Sequence, residues 1–136
     1  MDQYGRPEVR LGALEQGGLA PAVMAIVDRG VRRRPDLARS LHAEVELSFQ
    51  DGHPPVRIAF DEEVVLVEDG PAKDPDVRID GQLCDHIALM VAPVVGGLPS
   101  VFDARGRAAL GMVVSGRIRV QGSLGLLRRF LGVIHV

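Results

Sequence analysis

The sequence predicts an α+β fold, a five-stranded and mainly antiparallel sheet with helices covering one face. Three observations predict it. Apolar and polar residues alternate in short runs, the mark of strands with one buried face. Elsewhere apolar residues recur at helical spacing. The order is helix, four strands, helices, strand and helix, which gathers the helices on one side of the sheet. At 136 residues the chain is one domain, large enough for a core without disulfides or metals.

Residues 1–17 read as an irregular N-terminal tail, because Pro7, Gly12 and the Gly17-Gly18 pair interrupt any period. A helix is expected from Leu19 to about Arg33, with Pro21 in its first turn, where a missing N–H costs nothing. Its apolar side is Val23, Ile26, Val27 and Val31. Arg32-Arg33-Arg34 complements the dipole at its end, and Pro35 stops it. A short helical piece from Asp36 to Leu41 follows.

The first strand alternates Val45, Leu47 and Phe49 with Glu44, Glu46 and Ser48. The second carries Val56, Ile58 and Phe60, and the third is the doubly apolar run Val64 to Val67. The fourth alternates Val77 and Ile79 with Arg78 and Asp80, and the fifth carries Ile118 and Val120. Glu44 and Glu46 then share the solvent face with Arg57, Arg78, Arg117 and Arg119, whose cross-strand attraction needs no functional explanation. Between the fourth and fifth strands, Leu83, Ile87, Met90 and Val91 mark a helix that Pro93 and Gly96-Gly97 break. A second helix is predicted from Ser100, with Phe102, Leu110 and Val113 on its apolar side. Ser123 caps a last helix, Leu124 to Ile134, apolar around most of its circumference.

Composition narrows the function. Apolar residues make up 46% of the chain and the net charge is −2. The balance of 16 basic against 18 acidic residues speaks against a nucleic-acid partner. Trp, Asn and Thr are absent, and Lys73 is the only lysine, so nucleophiles are few. The lone Cys84 forms no internal disulfide. The polar N-terminus lacks a secretory apolar stretch, and no uncharged apolar run reaches ~18 residues, so the expected location is the cytoplasm.

No motif carries chemistry. Cys84, Asp85 and His86 are adjacent, but successive helical residues point about 100° apart, so the expectation is one buried thiol beside two exposed polar groups. His42, His53, His86 and His135 lack metal-ligand spacing, and Asp74, Asp76 and Asp80 suit turn capping better than a calcium loop. No glycine-rich phosphate cradle exists; Gly122 to Gly125 is a strand-to-helix turn. Arg32-Arg33-Arg34 reads as a solvated helix end, with transient contact to a membrane surface as its other use. No catalytic residue, metal or cofactor is predicted. What remains is an apolar surplus in the C-terminal half, fitting a lipid pocket between helices and sheet or a self-association surface.

Two stretches resemble the sterol carrier protein type two family. Ser115 to Leu131 is similar to its C-terminal signature: a glycine (Gly116), a basic-apolar strand (Arg117-Ile118-Arg119-Val120), a second glycine (Gly122) and an apolar helix. Val67 to Ile79 is similar to its hairpin followed by a strand opening on an aspartate, with Leu83 to Val91 where the family has a helix. The resemblance covers roughly residues 40–135. It implies an apolar tunnel between sheet and helices that binds a fatty acid, acyl-CoA or sterol, and no catalysis by a stand-alone domain. The stretch from Ala92 to Ser115 is longer than the family's usual link.

The expected function is therefore non-enzymatic binding, or transfer, of a long apolar ligand. Its predicted lining is Ile87, Met90, Val91, Phe102, Leu110, Met112, Leu127, Phe130 and Leu131. The rival reading is an interaction module that forms a homodimer or docks a partner through the final helix, burying Phe130 and Leu131.

Overall fold

A computed structural model describes residues 6–91, 94–95, 98–99, 111 and 115–134. The chain runs β1 (Glu8–Leu11), α1 (Ala20–Arg33), α2 (Pro35–Ser40), β2 (Ala43–Phe49), β3 (Val56–Phe60), β4 (Val64–Asp69) and β5 (Val77–Gly81). Then follow α3 (Leu83–Val91), the two-residue strands β6 (Val94–Val95) and β7 (Leu98–Pro99), β8 (Arg119–Gly122) and α4 (Leu124–Ile134). The α+β class stands, and α4 occupies the predicted span. The helix predicted from Ser100 falls outside the described residues.

The sheet has six strands in the order β1-β4-β3-β2-β5-β8, not five, and its pairing is mixed. The sixth strand comes from the stretch read as a tail. Glu8 to Leu11 pairs in parallel with Val64 to Val67, which turns Val9 and Leu11 to the same side as Val65 and Val67. Four residues between Pro7 and Gly12 are too few for alternation to announce a strand.

The second departure is β5. β2, β3 and β4 form an antiparallel meander, but β5 lies beside β2 and runs parallel to it, with Val45 opposite Val77 and Leu47 opposite Ile79. The link of residues 70–76 carries the chain past β3 and β2. Ala72 in that link is buried, and its N–H donates to Glu46 Oε1 on the outer side of β2 at 2.8 Å. The crossover is an extended strap over the polar face rather than a helix, so the usual sequence sign of parallel pairing is missing.

The inner face is nearly all β-branched or aromatic. Val45, Val56, Ile58, Val65, Val67, Val77 and Ile79 are buried against helices packed on one side. α1 lies against α4, β1 and β4, and α2 against α1 and α4. Gly30 lets α1 and α4 approach, since a Cβ there would meet Val133 O at 2.0 Å. Gly122 closes β8 onto the start of β5 at φ +110°, where a Cβ would lie 2.0 Å from Asp76 O.

On the outer face the predicted charge pairing is present in part. Arg57 donates through Nε to Glu44 at 2.5 Å and through Nη1 to Glu68 at 2.7 Å, and Arg78 donates to the buried Glu46 at 2.6 Å. The hydrogen bond that Arg57 donates to Glu44, ahead of the opposing desolvation, raises the Arg57 pKa above its ordinary value. Arg117 leaves this network and pairs with Asp85 of α3.

Candidate ligand interface between helices and sheet

The interface is built by α4. Its apolar stripe puts Leu127, Phe130, Leu131, Val133 and Ile134 in the core. Phe130 is fully buried, and its ring meets Phe60 edge-on at 6.0 Å between centroids. Met90 of α3 joins the same cluster. Four of the nine predicted lining residues, Met90, Leu127, Phe130 and Leu131, are thus brought together. Phe102, Leu110 and Met112 lie outside the described residues, as does the side chain of Val91.

Ile87 lies outside this cluster and is 48% exposed. α3 buries Asp85, His86, Leu89 and Met90, keeps Leu83 partly buried against the core, and turns Ile87 outward. Polar anchors hold it in that rotation. Arg117 Nη2 donates to Asp85 Oδ1 at 2.6 Å. His86 Nε2–H donates to the Ser48 carbonyl of β2 at 2.8 Å, and its ring packs on Phe49 with centroids 4.8 Å apart. The Asp51 carboxylate, from the β2–β3 turn, accepts from the Leu83 N–H at 3.2 and 3.3 Å. Periodicity cannot reveal such a face, because it reads burial from apolarity.

The Cys84-Asp85-His86 run is accordingly the reverse of the sequence expectation. The thiol is exposed and its two polar neighbours are buried. Cys84 Sγ lies 3.9 Å from Asp85 Oδ1 and Gln82 Oε1, with no histidine nitrogen in reach among its bonds. Burial, only partly offset by the Ser48 carbonyl and by Asp80, Asp51 and Asp85, lowers the His86 pKa below its ordinary value of 6.5. Burial therefore favours the neutral ring, whose Nε2–H is engaged by the Ser48 carbonyl.

Another buried carboxylate escapes sequence reading. Asp69, at the end of β4, accepts from the Ala20 N–H at 3.0 Å and the Glu15 N–H at 2.9 Å. It caps α1 from across the fold where Leu19 offers no side-chain cap. Among the described residues no three His, Cys, Asp or Glu side chains converge as metal ligands, and no helix is long and apolar enough to cross a membrane. Phe130 and Leu131 face inward, so the association surface read from them is not on the outside.

The sheet with an apolar inner face closed by helices has a sterol carrier protein type two-like fold, shown by its likeness to solved structures. No family model and no curated protein sequence matches the chain. Solved structures do. A ubiquinone synthesis protein, UbiJ-SCP2, superposes with a TM-score of 0.60 at 19% identity, covering 85% of this chain and 88% of that one. The sterol carrier protein domain 2 of Helicoverpa armigera gives 0.56 at 15% identity over 85% of this chain and 84% of that one. Apo sterol carrier protein 2 from Yarrowia lipolytica gives 0.53 at 15% identity over 88% and 92%.

Proposed function

We propose that the chain binds a long apolar ligand, such as a fatty acid, an acyl-CoA or a sterol, and carries or presents it without transforming it. The observation supporting this reading most directly is the likeness of most of the chain to most of two solved sterol carrier structures. The chemistry agrees. The inner face is largely valine, isoleucine, leucine and phenylalanine, with Phe60 edge-on to Phe130. The polar groups at α3 are engaged with each other or with backbone, which leaves them no free nucleophile–base pair.

Around Phe130 the interface is already filled by protein side chains. The ligand's place in this reading is therefore toward Met90 and Leu127. Each CH₂ moved from water contributes ~0.8 kcal/mol, so a long chain reaches about micromolar affinity with few polar contacts. Loose specificity follows.

Displacement of a fluorescent fatty acid, paired with native mass spectrometry of the purified protein, tests the proposal. Displacement at micromolar concentrations and a bound lipid mass are expected. No binding up to about tens of micromolar, on the same affinity scale, overturns it.

A further inference from the structure

A strand at the border of a sheet leaves half of its backbone groups unpaired, and β1 is such a border. Its parallel bonds to β4 use every second residue. Glu8 N–H donates to Glu63 O at 2.9 Å, and Gly12 N–H donates to Val67 O at 2.8 Å. Val9 and Leu11 therefore aim their N–H and C=O groups away from β4, along the free edge. Among the described residues no hydrogen bond closes that edge. Leu11 is 39% exposed and Leu14, just past the strand, 55%. Two of the four large apolar side chains left exposed among the described residues thus stand here.

The edge is its own complement. Set antiparallel to a second copy about Val9, it opposes Glu8 to the partner's Arg10, and Arg10 to the partner's Glu8, on the polar side. On the apolar side Val9 meets the partner's Val9, and Leu11 meets the partner's Pro7, which lies just ahead of the strand. A shift of two residues either way opposes Arg10 to Arg10 or Glu8 to Glu8, so like charges reject both. The hydrogen bonds fit the same register. The two Val9 residues exchange a reciprocal pair, and each Leu11 N–H reaches the carbonyl of the partner's Pro7. Proline has no N–H of its own to satisfy there. A cleft of about 250 Å³ between β1 and α1, lined in part by Pro7, Val9 and Val31, gives the partner's side chains room. α1 contacts β1 and β4, and strands lie ~4.8 Å apart. The two α1 axes then come about 10 Å apart across the two-fold, an ordinary packing distance rather than a clash.

We infer that β1 is a self-recognition edge: two copies of the chain pair it antiparallel about Val9, joining their six-stranded sheets across a two-fold axis. Main-chain bonds supply the attraction, the apolar row of Pro7, Val9 and Leu11 supplies burial, and Glu8 with Arg10 sets the register. The pairing uses up both β1 edges at once, so it closes at two copies. It needs no bound ligand and stands apart from the proposed function.

The test is sedimentation equilibrium of the full chain over a concentration series. The expected mass rises reversibly from that of one chain to that of two. Val9→Pro removes a donor from the free edge while sparing the bonds to β4, and holds the protein at one chain. Glu8→Arg and Arg10→Glu each oppose like charges in both cross-strand pairs, and each weakens dimerisation about thirtyfold. Both side chains are exposed, so circular dichroism stays unchanged in either variant. An equimolar mixture of the two charge variants restores dimers holding one copy of each, read by native mass spectrometry. The two cations of one variant then face the two anions of the other. A single-chain mass up to about 1 mM overturns the inference. So does a dimer indifferent to Val9→Pro and to both charge variants, which uses another surface. A mixture no tighter than its components overturns it as well, because the register is then wrong. Growth beyond two chains does the same, since it means that β1 pairs with the other border, β8, of the next copy.

Discussion

α4 and α3 both press against the same sheet, and they do so by opposite means. α4 buries Leu127, Phe130, Leu131, Val133 and Ile134, all apolar. α3 buries Asp85 and His86 beside Leu89 and Met90, and leaves Ile87 in water. Burial on α4 is entirely apolar, and although the helix is apolar around most of its circumference, Arg128 and Arg129 mark its solvent side in the sequence. Burial on α3 follows the satisfaction of particular polar groups, which depends on where Arg117, Ser48 and Asp51 arrive from elsewhere in the chain. The two helices should respond differently to substitution, and the difference can be broken or sharpened experimentally.

The largest effect belongs to α4. Phe130→Ala removes a fully buried ring packed on Phe60 and leaves a cavity, so unfolding free energy falls by about 3–5 kcal/mol. Chemical denaturation measures it. A loss below about 1 kcal/mol would mean that the core collapses around the gap, or that the ring is not packed as described.

The next effect belongs to the anchors. Asp69→Ala strips the α1 N-terminus of its cap and leaves the Ala20 and Glu15 N–H groups without that acceptor. A loss of about 1–2 kcal/mol is expected, the upper range for helix caps. Hydrogen exchange should show it first in residues 15–23. Asp69→Asn keeps an acceptor oxygen and should recover about half of that loss, by the same capping scale. An Asp69→Ala protein as stable as the parent would show that α1 is capped by other means.

His86 supplies a smaller, pH-dependent effect on α3. Its folded pKa lies below the 6.5 of an unfolded chain because burial disfavours the cation. Well above pH 6.5 both states are neutral, and the histidine adds no pH dependence. As pH falls below that value the unfolded chain takes up the proton first, so stability declines until the folded pKa is reached. The parent should lose thermal stability through this window more steeply than His86→Gln, whose amide can still donate to Ser48 O. Parallel slopes for the two proteins would show that His86 carries no buried, neutral donor role.

These contrasts explain what was legible in the sequence. Strands β2 to β5 and helices α1, α2 and α4 could be read because their inner residues are apolar at regular spacing. β1 could not, since four residues carry no period. The parallel placement of β5 could not either, because it depends on a strap held by the Ala72 N–H on Glu46. At the candidate interface, Met90, Leu127, Phe130 and Leu131 were legible as apolar members of a stripe, whereas the rotation of α3 was set by non-local hydrogen bonds. A carboxylate that serves another element, as Asp69 and Asp85 do, looks in sequence like any surface acid.

The smallest effect is the sharpest test of that lesson. Ile87 has the residue type of a core position and the helical spacing of one, yet it is 48% exposed. Ile87→Ser should therefore change stability by no more than about 0.5 kcal/mol, the range of surface substitutions. Leu89→Ser, two residues on and buried, should cost several times more, through lost burial and a hydroxyl left in an apolar setting. The ratio of the two losses, from matched denaturation curves, reports the rotation of α3 directly. If Ile87→Ser is the costlier, the helix presents its apolar stripe inward after all, and the anchoring by Asp85 and His86 does not set its face. If Leu89→Ser is, two satisfied polar side chains have outweighed an isoleucine in deciding which side of a helix is inside.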